Sequence, residues 1–344
     1  MIKLGFVGVG NMGQNAHLKN YATVPGCEVV AIAEPRPDLA RRVAQKYAVP
    51  RVYPSASEML EGEELDGLVA PQQFLMHRAI IAPLYRAGLP ILTEKPLAAS
   101  LEVGEEMLRQ LQASGARHFV GYHKRSDPAV VWAKAHIEGL KASGELGALR
   151  YVRVSMPSGD WIAGGFNDLL LSDEPIEPMA PDVGEGWGSP SVEFVNFYIH
   201  QVNLIRHLLG EAYRVTYAEP SGVLLAGQSE SGVPVTLEMT PYRTTLDWQE
   251  SALVAFEKGF LRIELPAPLA LNQPGRVALF RDPGEGKTPE TLVPQLPWVH
   301  AMRAQAMNFV AALRGEETPL CEASEALEDL RLARDYIALK ERAS

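Results

Sequence analysis

The sequence contains few cysteines and no long apolar run. Its two cysteines, Cys27 and Cys321, lie far apart, and neither they nor any group of His, Asp and Glu residues has the spacing of a redox or metal site. No apolar stretch approaches the ~20 residues that a membrane-spanning helix needs. The start at Met1 runs directly into a predicted strand rather than a signal peptide. We therefore expect a cytoplasmic protein without a bound metal and without a membrane partner.

Positively charged residues are also scarce relative to negatively charged ones. The 344 residues include 32 Lys and Arg against 42 Asp and Glu, which gives a formal net charge of −10 without any basic cluster. Nucleic acids and anionic membranes are bound by faces rich in Lys and Arg. The composition therefore argues against these partners and favours a small-molecule substrate. Because the length exceeds what one hydrophobic core usually serves, two domains are expected.

The strongest motif is a glycine-rich turn between a predicted strand and a predicted helix. Gly8 allows the tight turn, Gly10 lets the backbone approach a pyrophosphate, and Gly13 lets the helix pack close to the strand. The helix that starts near Met12 offers free N–H groups and the positive end of its dipole to phosphates. The motif therefore predicts a dinucleotide site. Its full sequence is Gly8-Val9-Gly10-Asn11-Met12-Gly13.

An acidic residue follows at the distance that such a site requires. Glu34 ends the next apolar run, 21 residues after Gly13. A carboxylate there can accept hydrogen bonds from both ribose hydroxyls of NAD and repels the 2′-phosphate of NADP. Arg36 lies two residues later and is able to turn toward a 2′-phosphate. We therefore predict NAD as the cofactor and leave NADP open.

The first third of the chain predicts an α/β domain. Short apolar strands alternate with helical patterns up to residue 123, which is typical of the doubly wound parallel sheet of a Rossmann domain. We assign residues 1–123 to this nucleotide-binding domain. Strands are predicted at 5–9, 29–33, 67–70, 90–93 and 118–122, and helices at 12–23, 38–47, 77–88 and 100–115.

The remainder, residues 124–344, predicts a second domain of α+β architecture. Most of its strands follow one another without intervening helices, so the pairing is expected to be mostly antiparallel. Strands are predicted at 149–156, 214–218, 234–240, 252–256, 260–264 and 276–280, and helices at 129–140, 298–314 and 324–340.

Residues 157–190 form the least regular part of the second domain. The segment is rich in Gly, Pro, Asp and Glu, and it lacks sustained periodicity. Long loops inside compact domains are usually functional or disordered. Its aromatic residues, Trp161, Phe166 and Trp187, are consistent with a substrate lid. A solvated surface loop and an oligomer arm are the alternatives.

Lys95 is the first candidate for chemistry. The run Thr93-Glu94-Lys95-Pro96 follows the fourth predicted strand, so Lys95 emerges at the carboxyl end of a parallel strand, where ligands of open α/β sheets bind. An ammonium group there can polarise a substrate oxygen and stabilise developing alkoxide charge. Taken alone, a solvated lysine at a turn is the simpler interpretation.

Several motifs together resemble the Gfo/Idh/MocA family of NAD(P)-dependent sugar oxidoreductases. The stretch 121–128, GYHKRSDP, is similar to the family's GYNRRFDP, and 199–210, IHQVNLIRHLLG, is similar to its H-D-x-D-L-x-R-W-L-L-G helix. The match also includes the glycine turn, Ala70-Pro71 followed by His77, and Glu94-Lys95-Pro96. The resemblance covers nearly the whole chain.

The resemblance implies that the second domain presents a large open sheet, often used in the family for dimer or tetramer contacts. It also implies that a sugar or polyol binds between this sheet and the nicotinamide, with Lys95 and His200 flanking the reacting carbon. An unperturbed imidazole, with a pKa of about 6.5, suits the acceptance of a hydroxyl proton while hydride leaves the carbon. The leading prediction is a sugar or polyol dehydrogenase, expected as a homodimer or homotetramer.

The glycine motif, the strand ends, the side-chain chemistry and the resemblance together assign further residues to the two ligands. His123 stands where the family usually has asparagine, and Tyr122 lies beside it at the end of the last parallel strand. Substrate contact is predicted for Lys95, Tyr122, His123, Trp161, Asn196, His200 and Tyr242. Cofactor contact is predicted for Gly8, Gly10, Asn11, Met12, Gly13, Glu34, Arg36, Pro71, His77, Glu94 and Lys95.

The sequence departs from the family pattern next to His200. Many family members carry aspartate four residues before the histidine, one helical turn away on the same face, whereas this chain has Asn196. An amide neither stabilises an imidazolium by charge nor relays a proton. This keeps open a redox-neutral alternative, an NAD-dependent glycosidase, epimerase or lyase that oxidises the sugar transiently. Neutral drift among ordinary dehydrogenases explains the change equally well, and a non-catalytic nucleotide sensor is a third hypothesis.

Overall fold

The computed structural model describes residues 1–176 and 190–343, which divide into two compact units. The first unit contains Met1–Tyr122, the described part of Gly164–Asn196, and Met302–Leu330. The second contains His123–Ala163, Phe197–Ala301 and the described residues from Arg331. The sequence predicts one change of domain after residue 123, whereas the chain returns twice to the first unit. Apolar side chains of the later segments cause this difference, since they join the core of the first unit.

The first unit is built on a seven-stranded sheet. Six strands are parallel, and the seventh, at the edge, is antiparallel. The buried strands read as continuous apolar runs because both faces of a parallel sheet are covered. The strands are β1 (Ile2–Val7), β2 (Cys27–Ala33), β3 (Arg51–Tyr53), β4 (Gly67–Ala70), β5 (Ile91–Thr93), β6 (His118–Val120) and β15 (Cys321–Glu322). Their order in the sheet is β15-β6-β5-β4-β1-β2-β3.

The four helices predicted in residues 1–123 are present with one correction, and the helices Ala56–Gly62 and Pro190–Phe197 were not predicted. A regular helix was predicted over 12–23, but Gly13–Leu18 is π-helical, a wider turn that is frequent at functional sites. A 3₁₀ turn spans Phe74–Met76. The α-helices are α1 (Lys19–Tyr21), α2 (Pro37–Tyr47), α3 (Ala56–Gly62), α4 (His77–Arg86), α5 (Leu101–Ser114), α7 (Pro190–Phe197) and α9 (Ala301–Leu313). The last residue of α7 and the first residue of α9 belong to the second unit.

An aromatic cluster shows how the carboxyl-terminal part completes the first core. The ring of Tyr21 meets those of Phe6 and Phe309 edge to face, with centroids 5.5 and 6.3 Å apart. Phe119 meets Phe309 in the same way at 5.9 Å. Such pairs add to the stabilisation gained from burial. Phe309 lies on α9, and its burial explains why this helix belongs with the nucleotide-binding fold.

The second unit contains an eight-stranded sheet. All neighbouring strands are antiparallel except β7 and β10, so the predicted mostly antiparallel sheet is confirmed. The strands are β7 (Leu149–Ser155), β8 (Tyr213–Ala218), β9 (Leu224–Ser229), β10 (Pro234–Glu238), β11 (Glu250–Phe256), β12 (Gly259–Leu265), β13 (Arg276–Arg281) and β14 (Glu290–Leu292). Their order is β14-β13-β12-β11-β7-β10-β9-β8.

Two helices of the second unit pack against this sheet. They are α6 (Pro128–Ser143) and α8 (Ile199–Leu209), which contact β12 and β7 respectively, and a 3₁₀ turn, His123–Ser126, precedes α6. The last helix, α10 (Ala323–Ala343), begins in the first unit and continues in the second. Among the described helices, none combines the length and apolar character needed to cross a membrane.

Candidate active site

The loops that follow four parallel strands of the first unit meet at one edge of its sheet. The glycine turn follows β1, Glu34 follows β2, Pro71 follows β4, and Glu94-Lys95 follows β5. The carboxyl ends of parallel strands lie at the same edge, which is where open α/β sheets bind their ligands. The sequence predicted this grouping. The four strands are consecutive in the sheet, in the order β5-β4-β1-β2, so the loops that follow them are neighbours.

The glycine turn has the geometry that a pyrophosphate requires. Gly8 has φ +88°, a left-handed conformation that glycine adopts readily. A Cβ at Gly13 would lie 2.7 Å from the backbone oxygen of Gly8, so the helix approaches the turn too closely for a side chain. A Cβ at Gly10 would meet nothing within 4 Å, so the backbone there is open to a ligand. These residues fit a dinucleotide phosphate group, with Asn11 and Met12 in the same turn.

Glu34 is tied to both the glycine turn and Arg36. The carboxylate accepts a hydrogen bond from Val9 N at 3.0 Å and pairs with Arg36 Nε at 2.6 Å, and the side chain is 2% exposed. Each carboxylate oxygen has lone pairs for a further hydrogen bond. Arg36 is thus already paired with an acid, and the contact of Glu34 with ribose hydroxyls stays a prediction.

His77 and Gln72 hold the loop that follows β4. His77 is fully buried, and its two ring nitrogens lie 3.0 and 3.1 Å from the backbone oxygens of Leu97 and Gln72. The Gln72 amide donates to Val7 O at 2.8 Å. These contacts allow His77 to fix the loop that carries Pro71, and its contact with the cofactor stays a prediction.

Glu94 is buried and paired with a residue that the sequence did not single out. Its Oε1 lies 2.6 Å from Nε2 of His17, and its Oε2 accepts the backbone N–H of Lys95 at 3.2 Å. Burial alone would raise the pKa of Glu94, but the hydrogen bond and charge of His17, with the charge of Lys95, hold it below its ordinary value. The pair therefore anchors the backbone from which Lys95 projects. No local pattern signals it, because the partners are 77 residues apart.

Lys95 is half-buried, and its Nζ donates a hydrogen bond to the backbone oxygen of Asn196. This places the ammonium group beside the end of α7 within the first unit. A cation held at the carboxyl edge of a parallel sheet can orient an oxygen-bearing ligand and stabilise negative charge on it. The contact of Lys95 with substrate and cofactor stays a prediction.

His123 and His200 come together within the second unit. Their rings meet edge to face with centroids 4.7 Å apart. His123 is buried, whereas His200 is partly exposed at the start of α8. The sequence predicted substrate contact for both residues but did not predict that they touch each other. His123 is therefore placed to limit the orientations that the His200 ring adopts.

Buried polar contacts surround these histidines. Arg125 Nε donates to Asn203 Oδ1 at 2.8 Å, Gln201 Nε2 donates to Glu250 Oε1 at 2.8 Å, and Lys124 pairs with the same glutamate. Asn203 and Gln201 stand where the family pattern has aspartate. Hydrogen bonds hold Asn203 Oδ1 and Gln201 Nε2, whereas Gln201 Oε1 is buried without a hydrogen-bond partner in the described part of the chain. The contacts fix α8, and with it the backbone of His200.

A one-residue break separates the helices that carry Asn196 and His200. α7 ends at Phe197 and α8 begins at Ile199, with Tyr198 between them at φ −102° and ψ −3°. Asn196 and His200 therefore lie on two successive helices, and their contact with substrate stays a prediction. The Tyr198 hydroxyl donates to Met239 O at 2.9 Å, a contact that holds the break between the helices in place.

The remaining predicted substrate residues are dispersed. Tyr122 is buried at the end of the first unit's amino-terminal segment, whereas Trp161 and Tyr242 are 37% and 47% exposed in the second unit. Tyr242 donates its hydroxyl to Gln249 Oε1. Substrate contact by these residues stays a prediction. Trp187 of the suggested lid lies outside the described residues.

Comparisons with known proteins give a consistent result. Residues 2–122 match the oxidoreductase family with an NAD-binding Rossmann fold, Gfo/Idh/MocA. The chain is 26% identical over 281 residues to inositol 2-dehydrogenase of Corynebacterium glutamicum strain R, covering 77% of this chain and 74% of that protein. It is 23% identical to D-apiose dehydrogenase of Paraburkholderia graminis, covering 98% and 88% of the two chains.

The same architecture is found among solved structures. Levoglucosan dehydrogenase in complex with NADH and levoglucosan has a TM-score of 0.73 over 100% of this chain and 98% of its own, at 17% identity. At that identity the likeness establishes the fold. The family match therefore covers the nucleotide-binding part of the chain, residues 2–122, and the relatives and solved structures extend the similarity over most of its length.

Proposed function

We propose that the protein is a dehydrogenase that transfers hydride between a hydroxyl-bearing carbon of a sugar or polyol and a nicotinamide nucleotide. The observation that carries the proposal is the position of Lys95, an ammonium group at the same sheet edge as a glycine turn that fits a pyrophosphate. The substrate class comes from the similar proteins, which are named as dehydrogenases of inositol, apiose and levoglucosan.

The chain's own side chains would divide the chemistry between them. Nicotinamide, when bound, supplies the acceptor for hydride. Lys95 would donate a hydrogen bond to the reacting oxygen and stabilise its developing negative charge. His200 would accept the hydroxyl proton, with its ring oriented by contact with His123. In this scheme the substrate oxygen replaces Asn196 O as the hydrogen-bond acceptor of Lys95 Nζ.

Two sets of hydrogen-bonded residues would hold Lys95 and His200 in position for these roles. The His17–Glu94 pair holds the backbone of Lys95, and the Arg125–Asn203 contact holds the helix of His200. Preorganised groups stabilise a transition state without the cost of reorientation during the reaction. These four residues are positioning residues in the proposal.

The experiment that tests the proposal combines purified protein, NAD and a panel of sugars, glycosides and polyols. Absorbance of reduced nicotinamide and product analysis are followed in the same wells. Reduced cofactor that accumulates in step with a ketone or lactone product supports the dehydrogenase. Cleaved or epimerised sugar without accumulation of reduced cofactor would replace it with the redox-neutral alternative, and nucleotide binding without any turnover would favour a sensor.

Assembly and location are proposed from the family resemblance and from one exposed edge strand. We propose a homodimer or homotetramer in the cytoplasm, since the family often uses its open sheet for subunit contacts. The outer edge of this sheet, β14, has all three residues exposed. Measurement of the molar mass in solution by light scattering tests the assembly, and a mass of one 37.6 kDa chain would contradict it.

A further inference from the structure

The segment 164–176 is fixed against the nucleotide-binding unit, next to the glycine turn and α2. The side-chain amide of Gln14 donates to Leu170 O at 3.0 Å and accepts from Leu170 N at 3.1 Å. Arg42 on α2 donates to Leu171 O at 2.6 Å. Gln14 itself follows Gly13 and also donates to Val9 O, so the segment is tied to the glycine turn through one side chain.

Glu174, near the end of this segment, caps α2. Its Oε1 accepts the backbone N–H of Asp38 and its Oε2 that of Leu39, both at 3.0 Å, and the Ser172 hydroxyl donates to Oε2 at 2.8 Å. The helix has no cap from its own N-cap residue, Arg36. The carboxylate of Glu174, which is 135 residues from Leu39 in the sequence, therefore accepts both backbone N–H groups at the start of α2.

This helix start lies where nucleotide specificity is decided. α2 begins three residues after Glu34, the acid that a Rossmann site directs at the adenosine ribose. An NADP site needs a cation or free N–H groups for the 2′-phosphate, and helix N-termini commonly supply such donors. Both sources are already used by acids here, since Arg36 pairs with Glu34 and the N–H groups of α2 are bonded to Glu174.

We propose that Glu174 is a specificity-determining residue that occupies the anion position at the start of α2, excludes the 2′-phosphate and so selects NAD over NADP. The inference rests on the proposed use of a nicotinamide nucleotide and deepens it. Its physical basis is twofold: the carboxylate removes the hydrogen-bond donors, and its negative charge repels a phosphate group. It assigns a cofactor-selecting role to the irregular segment that the sequence associated with a lid.

The test measures the dissociation constants of NAD and NADP by isothermal titration calorimetry on the full chain. Glu174→Ala frees both N–H groups and removes the charge, whereas Glu174→Gln removes the charge and keeps an acceptor oxygen. Asp173→Asn is the matched control, because Asp173 is the neighbouring exposed acid of the same segment. We expect Glu174→Ala to improve the affinity for NADP relative to NAD about tenfold or more, and Glu174→Gln to improve it less.

The outcomes separate this inference from the proposed function. Asp173→Asn is expected to leave the ratio of the two affinities within about twofold of wild type. If both Glu174 variants bind NAD as wild type does and still discriminate against NADP like Asp173→Asn, Glu174 is only a helix cap and the inference is overturned. If the wild-type chain binds neither nucleotide, the proposed function fails with it.

Discussion

The imidazole Nε2 of His17 lies 2.6 Å from the Oε1 of Glu94, and both side chains are buried. His17 belongs to the π-helical segment that follows the glycine turn, and Glu94 directly precedes Lys95. One contact therefore joins the element expected to receive the cofactor phosphates to the residue expected to act on the substrate. Removal of the His17–Glu94 contact should therefore lower the free energy of unfolding and also displace Lys95.

Replacement of His17 by leucine should destabilise the protein by about 3 kcal/mol, because it leaves a buried carboxylate without its partner. In a Glu94→Gln background the same replacement should cost at least 1 kcal/mol less, since no buried charge remains. Urea unfolding of the wild type, both single variants and the double variant measures this coupling. Additive losses across the four proteins would show that the pair contributes no specific interaction.

Gly10→Ala should fold like the wild type and bind NAD at least ~10-fold more weakly. A Cβ at this position meets nothing within 4 Å in the protein, so any effect arises from the ligand that approaches the backbone. The matched control is Gly139→Ala on the exposed face of α6, where a Cβ is equally unopposed. This control should stabilise the helix by up to ~1 kcal/mol and leave NAD affinity unchanged. Equal NAD affinity in the two variants would contradict a phosphate site at Gly10.

Lys95→Met and His200→Ala should each reduce turnover by about 100- to 10,000-fold, the range in which positioned acid, base and electrostatic groups contribute. Lys287→Met and His136→Ala serve as controls, because Lys287 lies in an exposed turn and His136 stacks on Trp132 in α6. Steady-state kinetics with a substrate found in the panel supplies the measurement. A His200→Ala enzyme with wild-type turnover would remove His200 from the mechanism.

The first unit should lose stability in mild acid because of His118. Burial, with the charge of nearby His77, lowers the pKa of His118 from 6.5 to about 3, and the neutral ring bonds to Tyr85 and Thr93 hydroxyls at 2.8 and 2.9 Å. The folded-state pKa lies below the unfolded value, so this contribution is complete above about pH 6.5 and falls as the pH is lowered toward 3.

Between pH 6.5 and pH 5, the wild type should therefore lose about 2 kcal/mol of unfolding free energy that a His118→Gln variant does not lose. Urea unfolding of both proteins at each pH provides the comparison. The glutamine variant is expected to be less stable at pH 7.5 and to have a flatter pH profile. Parallel profiles for the two proteins would mean that His118 is not the group responsible.

Periodicity and glycine chemistry predicted most of the elements of the nucleotide-binding unit. β4 was predicted with its observed ends, Gly67–Ala70, and β2 begins two residues earlier than predicted. The sequence did not predict β3 and β15, of three and two residues, because such short edge strands carry no apolar run. The π-helical turn at Gly13–Leu18 was also missed, since its hydrophobic pattern resembles that of an α-helix.

The candidate site was predicted less completely than the fold. Motifs located the glycine turn, Glu34, Lys95 and His200, because each depends on residue type at a fixed place along one strand or helix. His17 and Glu174 escaped notice, since each acts on a partner more than 70 residues away. The same limit applies at Tyr198, whose contact with the distant Met239 lies at the break between α7 and α8.

The sequence by itself determined the order of elements, the glycine backbone that fits a pyrophosphate and the resemblance of residues 2–122 to the Gfo/Idh/MocA family. These properties follow from local sterics, from periodicity and from short motifs, which are encoded in neighbouring residues. Tertiary structure alone decided which buried charges are paired, where α7 gives way to α8, and that a carboxylate from residue 174 caps α2. Those features depend on distant residues whose polar groups must find partners once water is excluded, and no local pattern records such partners.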